Sequence, residues 1–384
     1  MEQKKRLVSL DLLRGLTIFG MFLVNNPGTW GAIYPPFKHA AWNGCTFTDL
    51  IFPFFLFMVG MAIKLSLDSR IKKGISKGTL IKQIIKRSVI LFMLGVFLSA
   101  YKGIRTWNLD LSTLRIMGVL QRIAICYLYA SLIYLATIKK IKDSIKLNAK
   151  SIIIICAFIL IGYYLVMRFV PVPGFGMGMF DSKEGNVSAW VDRMILGKHI
   201  WTQTKVYDPE GLLSTIPAVA SCLFGILCAF VIRRDESEEK RLMDIFAYGS
   251  VLVIFGWMTT ALMPLNKALW TSSYVLYTSG LAFVVLGVCY WYADYHGKRA
   301  CVNPFIALGT NALSMFILSG IIGRELYLWK IGGKFLKPWI YTNCFTSWLG
   351  KYPASLAYAI CFASMLTIIS IILYKKKIII NNLY

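Results

Sequence analysis

Long apolar stretches alternate with short basic segments along the whole 384-residue chain. An α-helix needs about 20 mostly apolar residues to cross the hydrocarbon core of a bilayer. Ten stretches are long enough, and they cover approximately residues 7–27, 46–66, 84–100, 115–136, 151–170, 212–232, 241–263, 272–292, 304–322 and 353–373. The pattern predicts an all-α polytopic membrane protein with about ten transmembrane helices, organised as a single domain over residues 1–384.

The segments between these stretches carry most of the positive charge. If the N-terminus lies inside, the inner segments hold 24 of the 42 Lys and Arg residues. Cytoplasmic loops of membrane proteins are enriched in these residues, so the distribution predicts an N-in, C-in topology, as an even number of spans requires. Two outer segments, residues 171–211 and 323–352, are long, rich in Gly, Trp and Tyr, and poor in helical periodicity. They are predicted to form a lid or vestibule.

The composition excludes several classes of protein. Only 16% of the residues are charged and 57% are hydrophobic, whereas a soluble domain has about 25% charged residues. The basic residues lie scattered between apolar blocks, so no nucleic-acid partner is expected. The chain has no phosphate-binding or dinucleotide-binding glycine motif, and its nine cysteines form no C-x-x-C pair, so no metal site is expected. Cys45 and Cys344 fall in outer segments, and the sequence leaves open whether they pair.

Polar residues interrupt the first predicted span. An ionisable residue near the centre of a span costs roughly 2.5–3.5 kcal/mol on insertion scales, so Asp11 and Arg14 are candidates for function. Arg14 and Asn25 are 11 positions apart, which places them within about 20° of the same helix face. The alternative interpretation is an Asp11–Arg14 ion pair at the helix end, with Asn25 as a helix-end cap.

The fourth predicted span carries Arg115, Gln121 and Arg122. The two arginines are seven positions apart, so a continuous helix would place them on one face. A buried guanidinium is suited to a phosphate or carboxylate partner because it is planar and weakly hydrated. The alternatives are that Arg115 is an interfacial anchor and that Arg122 forms a structural salt bridge with Asp11 or Asp49.

The segment FKHAAWNGCTFTDLIFPFF places a histidine beside a carboxylate. His39 lies just outside the first span with Trp42 and Asn43, and Asp49 follows ten residues after His39. A carboxylate at this position is expected to orient the imidazole, as it does for catalytic histidines. We expect Asn25, His39, Asn43 and Asp49 to converge on the outer end of the first helical hairpin. The alternative is a hydrogen-bonded surface histidine without a catalytic role.

Several separated blocks together resemble the heparan-α-glucosaminide N-acetyltransferase family, multi-span enzymes that acetylate terminal glucosamine from acetyl-CoA. The blocks lie between residue 6 and about residue 316, and they are RLVSLDLLRG, FLVNN, FKHAAWNGCTFTDLIFPFFLFMVG, LRIMGVLQRIAICY, YDPEGLLSTIPAV, PLNKALWTSSYVLYTSG and NPFIALGTNALSMF. The H-A-x-W-N-G…D-L-x-F-P block is quite specific. The L-D-x-x-R-G block is shared with the broader membrane acyltransferases.

The resemblance implies a transmembrane acyltransferase fold, a homodimer, and acetyl-CoA bound in a pore with the acceptor sugar on the far side of the membrane. It also implies that His39 is the catalytic histidine and Asn25 its partner, with Asp49 at the acidic position of the block. The chain lacks the long N-terminal extension of the lysosomal enzyme and is similar to the shorter bacterial form. A bacterial cytoplasmic membrane is therefore expected, and the acceptor stays open.

These roles define three groups of candidate residues. Neutral His39 is expected to take the proton of the acceptor ammonium, Asp49 to orient it, and the Asn25 amide to stabilise the oxyanion. The expected contacts of acetyl-CoA are Arg14, Lys86, Arg87, Gln121 and Arg122. The expected contacts of the acceptor are Trp42, Asn43, Asp208, Glu210, Asn266, Lys267 and Trp270. The alternative for the residues in YDPEG and PLNKALWTS is loop packing or interface anchoring.

Several functional alternatives stay open at this stage. His39 acts either as a base in a ternary complex or as a nucleophile that is itself acetylated. The acceptor group is either an amine, as on heparan sulfate, or a hydroxyl of a cell-surface glycan. The third alternative is a different class of protein, a polytopic transporter of a small polar or glycan substrate. Such a protein would use the polar helix face as a permeation path.

Overall fold

The computed structural model of this chain describes residues 7–141 and 144–378. Within these ranges, nine helices are long and apolar enough to cross a membrane, and a bent pair of shorter helices gives up to ten spans. The helices are α1 Val8–Asn25, α2 Phe47–Lys72, α3 Lys77–Arg105, α4 Val119–Thr137, α5 Ala149–Phe169, α6 Val187–Leu196, α7 Leu212–Ile232, α8 Glu238–Met258, α9 Ser272–Tyr290, α10 Asn303–Thr310, α11 Ala312–Glu325, α12 Leu336–Ile340 and α13 Lys351–Lys375. The prediction of an all-α polytopic membrane protein is confirmed.

Side chains with short polar groups begin several of these helices. The hydroxyl of Ser76 accepts a hydrogen bond from the backbone N–H of Thr79 at the start of α3, and Ser237 does the same for Lys240 at the start of α8. The first N–H groups of a helix have no partner within the helix, so such caps favour a helix start at these positions. The chain therefore switches from loop to helix where its sequence supplies a cap.

The chain forms two compact units. The first contains the described parts of Met1–Ala40, Thr46–Ile51 and Val285–Leu383. In this unit α1 packs closely on α10, because both helices present glycine at the contact. A Cβ atom added to Gly15 would overlap the carbonyl group of Phe305, and one added to Gly309 would overlap the carbonyl group of Asp11. Small residues allow this close approach of two helix backbones in a membrane.

A carboxylate from another part of the first unit caps the start of α1. Asp294 accepts hydrogen bonds from the backbone N–H groups of Val8 and Ser9, at 3.1 and 2.9 Å. Leu7 precedes the helix and supplies no side-chain cap. Asp294 thus satisfies two N–H groups that the first turn leaves without a helical partner, and its charge suits the positive end of the helix dipole.

The predicted span over residues 304–322 is not one straight helix. Its two parts, α10 and α11, meet at Asn311 with a bend of 84°. Asn311 has φ −112° and ψ 29°, outside the helical region, and its side-chain amide donates to the backbone carbonyl of Ile378 at 3.2 Å. The predicted stretch thus consists of two helices, because the polar residue at the break bonds outside the helix.

The second unit contains Ala41–Cys45 and Phe52–Val284. Here α2 and α7 approach closely at two glycines, since a Cβ on Gly60 would overlap the backbone of Cys222 and one on Gly225 would overlap that of Phe57. The helix α4 packs against both α3 and α7. These contacts place the polar residues of α4 beside the start of α7.

The two long segments that were predicted to lie outside contain more regular structure than the sequence predicted. Residues 171–211 include the ten-residue helix α6, whose start is capped by Asn186 through a 2.8 Å hydrogen bond from the N–H of Ala189. Residues 323–352 include α12, a π-helical turn and a short hairpin. The two hairpins of the described chain consist of β1 Ile138–Ile141 with β2 Ser144–Leu147 and of β3 Lys330–Ile331 with β4 Lys334–Phe335.

Candidate active site

The start of α2 fixes the position of Asp49. Thr46 directly precedes the helix, and its backbone N–H donates to Asp49 Oδ2 at 3.1 Å. The Thr46 hydroxyl also lies 3.0 Å from that oxygen and 2.6 Å from the backbone carbonyl of Lys38. An acidic side chain that reaches back to the residue before the helix forms a capping box, which orients the carboxylate at the helix start.

The other oxygen of the same carboxylate holds His39. His39 Nδ1 lies 2.6 Å from Asp49 Oδ1, and the backbone N–H of Ala40 donates to Oδ2 at 3.0 Å. Because an ionised carboxylate only accepts hydrogen bonds, Nδ1 carries the proton, and the neutral ring then has its lone pair on Nε2. The imidazole is thus fixed in the tautomer that a proton acceptor or a nucleophile needs.

Burial differs sharply between the two partners. The Asp49 side chain is 2% exposed, whereas the His39 side chain is 52% exposed. The loop before α2 is further fixed by the Phe37 ring, which packs edge-on against Phe47 with 6.0 Å between the ring centroids. A buried carboxylate therefore presents an accessible imidazole from a fixed loop.

Two other candidates in the first unit lie on α1. Asn25 is the last residue of the helix, and it is exposed. Arg14 lies 3.6 Å from Asp11 across one helix turn, so the ion pair considered as the alternative for these residues is present. The contact leaves the predicted role of Arg14 towards the cofactor untested.

Trp42 and Asn43 belong to the second unit and make specific contacts there. The Trp42 indole donates to the carbonyl of Phe180 at 2.8 Å. The amide of Asn43 donates to Asp181 at 2.5 Å, and its oxygen accepts from the side chain of Asn266 at 3.1 Å. These bonds connect the segment after His39 to residues more than 130 positions later in the chain.

Arg115 lies before α4 rather than within it, so the prediction that Arg115 and Arg122 share one helix face was wrong. Gly118, in an extended conformation, directly precedes the helix. Arg115 instead pairs with two buried carboxylates, at 2.6 Å from Asp208 and 2.5 Å from Glu210. The interpretation of Arg115 as a snorkelling anchor is replaced by a buried ion-pair network.

The charges in this network shift each other's pKa. Burial alone would raise the pKa of Glu210, but Arg115, Arg122 and Lys267 outweigh burial and lower it. Burial alone would lower the pKa of Arg115, and the two carboxylates raise it. Burial raises the pKa of the neighbouring Asp192 to about 6, although its oxygens accept backbone N–H bonds. Glu210 is therefore a carboxylate kept ionised by surrounding cations.

Arg122 lies fully buried at the start of α4. Its Nη2 donates to the Ser214 hydroxyl at 2.5 Å and to the carbonyl of Gly211 at 3.2 Å, and its guanidinium lies 5.0 Å from the centre of the Trp270 ring. Within the described chain, Arg122 Nε and Nη1 and the side-chain nitrogen of neighbouring Gln121 have no hydrogen-bond partner. Buried donors normally have partners, so these three are suited to an acceptor from a ligand.

The remaining acceptor candidates lie in the segment before α9. Asn266 is fully buried, and its side-chain oxygen accepts from the backbone N–H of Leu269 at 2.9 Å. Trp270 is also fully buried, with φ 51°, and its indole donates to Ser221 at 3.2 Å. These contacts match the loop-packing alternative for both residues. Lys267 is half-buried beside Glu210.

Lys86 and Arg87 lie side by side on α3. Lys86 is exposed, whereas Arg87 is half-buried and lines a cleft with Ser66 of α2 and Tyr127 of α4. The cleft therefore receives only one of the two predicted basic residues.

Sequence reasoning missed Thr46, Asp192 and Ser214. The T-x-x-D spacing directly before an apolar stretch was a usable signal for Thr46, since it is the sequence pattern of a capping box. Asp192 and Ser214 had no such signal, because their partners Leu212 and Arg122 lie 20 and 92 positions away.

Cys45 and Cys344 do not form the pair that the sequence left open. Cys45 is half-buried and Cys344 is exposed, and no disulfide joins them in the described chain. Residues 7–141 and 144–378 also contain no group of three His, Cys, Asp or Glu side chains placed to hold a metal ion.

The fold and the histidine–carboxylate pair define a polytopic membrane protein with a candidate catalytic histidine in the loop between its first two spans. Residues 6–205 match a protein family described as "Domain of unknown function (DUF5009)". The chain belongs to this family.

Two curated proteins are similar to the chain over almost all of its length. The heparan-alpha-glucosaminide N-acetyltransferase of Mus musculus is 27% identical over 416 residues, which covers 97% of this chain and 60% of the mouse protein. The Homo sapiens protein of the same name is 27% identical over 418 residues, covering 97% of this chain and 59% of the human protein. The chain thus spans about three fifths of the length of these relatives.

Proposed function

We propose that this protein is a transmembrane acetyltransferase that moves an acetyl group from cytoplasmic acetyl-CoA to the amine of a terminal glucosamine or related amino sugar on the outer side. The observation that carries the proposal is the accessible His39 held by buried Asp49. The similarity to two acetyltransferases over 97% of the chain supports it. A bacterial cytoplasmic membrane and a homodimer are part of the same proposal.

His39 has the properties that amide formation requires. The acceptor ammonium must lose a proton before its nitrogen attacks the thioester carbonyl carbon. In this proposal the Nε2 lone pair of His39 takes that proton, and Asp49 stabilises the resulting imidazolium. The free amine adds to the thioester carbonyl carbon and forms a tetrahedral intermediate that carries the oxyanion. Its collapse breaks the C–S bond, and the second proton of the nitrogen passes to the leaving sulfur, which gives the amide and the thiol of CoA. Asn25 is proposed to donate to the oxyanion.

The co-substrate supplies the activated acetyl group and several phosphates. The unpartnered nitrogens of Arg122 and Gln121 fit such a ligand, because they are buried donors that lack acceptors. The proposed contacts of acetyl-CoA are Arg14, Lys86, Arg87, Gln121 and Arg122.

The proposed acceptor contacts divide into two groups by burial. Asn43 is exposed and Trp42 and Lys267 are half-buried, so these side chains are suited to direct contact with a sugar. Asp208, Glu210, Asn266 and Trp270 are buried in bonds within the second unit. We assign these four to positioning of the outer segments around the acceptor.

Replacement of the candidate histidine tests the proposal. His39→Ala is expected to lower acetyl-CoA-dependent acetylation of glucosamine at least about a hundredfold, because general-base catalysis contributes this much or more. His296→Ala is the matched control, since His296 is exposed and its ring packs edge-on against Trp291 and Tyr295. The assay measures CoA release with and without glucosamine. Near-normal turnover of His39→Ala would exclude His39 as the catalytic group.

The same assay separates the alternatives. A panel of amino sugars and glycan hydroxyls distinguishes N-acetylation from O-acetylation. The absence of acceptor-stimulated CoA release from every acceptor, with substrate flux across vesicles, would favour a transporter. Labelled acetyl-CoA without acceptor tests the acetyl-histidine route, which predicts labelled protein that is lost in His39→Ala.

A further inference from the structure

A cleft in the second unit lies between α2, α3 and α4. Three of its lining residues, Arg87, Ser66 and Tyr127, carry side-chain hydrogen-bond donors. The rest of the lining is apolar and comes from α2, for example Val59 and Ile63. The cleft thus combines three hydrogen-bond donors with an apolar wall.

The polar groups of this cleft have no protein partners. In the described chain, Arg87, Ser66 and Tyr127 make no side-chain hydrogen bond or ion pair, although Tyr127 is 7% exposed. The Tyr127 side chain is mostly buried, but its hydroxyl is not a fully buried atom, so it is accessible to an acceptor from a ligand. A half-buried guanidinium beside apolar side chains is likewise expected to have a counter-ion or an acceptor.

The side chains around the cleft carry a strong excess of positive charge. Arg70, near the end of α2, is repelled by Arg87, and its one side-chain bond is to the neutral Gln83 at 2.9 Å. The helices α3 and α4 contain no acidic residue. The carboxylate on this part of α2, Asp68, is already bound by Lys64 at 2.7 Å and by the Tyr134 hydroxyl. No described carboxylate is therefore positioned to neutralise Arg70 and Arg87.

The position of Arg87 along α3 indicates its depth in the membrane. The part of α3 before it contains Lys77, Lys82 and Lys86, whereas the part after it begins with the apolar run VILFMLGVFL. The boundary between a basic and an apolar stretch marks the interface where phosphate headgroups lie. The cleft thus opens at the level where a phosphate is found, with its apolar wall directed along α2.

We propose that this cleft is a phosphate-binding site, in which Arg87 forms charge-assisted hydrogen bonds to the phosphate and Ser66 and Tyr127 donate to its oxygens. Guanidinium groups bind phosphate through paired, parallel hydrogen bonds. Two sources carry such a group: the headgroup of a membrane phospholipid, and the nucleotide end of CoA. The second source rests on the proposed acetyltransferase function, and the first does not.

Binding to the purified full-length protein tests the site. Native mass spectrometry is expected to show phosphatidylglycerol retained in preference to monogalactosyldiacylglycerol, which has no phosphate. Calorimetry with CoA and 3′-dephospho-CoA tests the second source. Arg87→Gln is expected to weaken the phosphate ligand about 10- to 100-fold, in line with the loss of hydrogen bonds to a charged group. Tyr127→Phe is expected to have a smaller effect in the same direction.

Lys82→Gln is the matched control, because Lys82 is an exposed cation on the same helix and outside the cleft. Thermal unfolding of each variant verifies that the fold is retained. If Arg87→Gln loses only the preference for phosphatidylglycerol, the cleft is a lipid site. If it loses only the affinity for CoA, the cleft is a nucleotide site. Unchanged binding of both ligands in a folded Arg87→Gln variant would overturn the proposal. Neither result depends on measured acetyl transfer.

Discussion

Lys337 is a cation buried against two aromatic rings. The residue is 4% exposed, and its Nζ lies 5.0 Å from the ring centre of Tyr327 and 5.6 Å from that of Tyr358. Burial lowers the pKa of Lys337 to about 8. The ring faces attract the ammonium, but the lowered pKa shows that loss of water outweighs this attraction.

The lowered pKa predicts a pH-dependent contribution of Lys337 to stability. Between pH 8 and its unfolded value near 10.5, the unfolded chain binds more protons at this amine than the folded protein does, so stability rises with pH. The unfolding temperature of the wild type minus that of Lys337→Met is therefore expected to be more positive at pH 9.5 than at pH 7. Lys334→Met, at an exposed position, is the control for the removal of a lysine charge. A pH-independent difference for Lys337→Met would contradict the prediction.

Individual residues differ in how far the sequence determines their contacts. His39 and Asp49 are ten positions apart around a helix start, so local geometry was enough to predict their contact. The partners of Arg122 are Gly211 and Ser214, about 90 positions later, and no local pattern indicates them. The salt bridge with Asp11 or Asp49 that was considered as the alternative for Arg122 illustrates the difficulty, because apolar spans offer many equivalent positions for a polar partner.

At the scale of elements, Arg115 fixes the segment that leads into α7. It lies before α4 and forms ion pairs with Asp208 and Glu210, which precede α7. The backbone N–H groups of Asp208 and Leu212 also donate to Asp192 of α6, at 3.1 and 2.9 Å. Three elements are thus joined by charges that lie outside the membrane spans. Hydropathy placed the spans, but it carried no information on these connections.

Removal of Arg115 would leave two buried carboxylates without their main cation. Arg115→Gln is expected to destabilise the protein by about 3–5 kcal/mol, the usual effect of breaking a buried ion pair from one side. The loss should increase above the usual pKa of Glu, where Glu210 is ionised and its lowered folded-state pKa contributes stability. Denaturant unfolding at pH 3 and pH 7, on either side of the usual pKa of Glu, measures both effects. Lys102→Gln, at an exposed position of α3, is the control, and an equal loss in the two variants would refute the network's importance.

At the scale of the whole chain, the bend at Asn311 raises the question of whether α10 and α11 cross the membrane. Asp294, before the pair, caps the start of α1. Gly323, near the end of the pair, lies beside Asn26 at the other end of α1. The helix α1 has 18 residues and is therefore about 27 Å long. The chain from Asp294 to Gly323 thus covers the length of a complete span despite its bend.

This path predicts that the bent pair counts as one span and that the chain has ten, with both ends on the same side of the membrane. Epitope tags fused to the two ends should show equal protease accessibility in sealed vesicles of one orientation. A tag inserted at the Gly332–Gly333 turn should show the opposite accessibility, because one span separates residues 326–350 from the C-terminal end and nine separate them from the N-terminal end. Basic inner segments further predict that both ends are cytoplasmic. Tags on opposite sides would instead show that the pair is a re-entrant hairpin. The position of Gly323 beside Asn26 would then not indicate that the pair crosses the membrane.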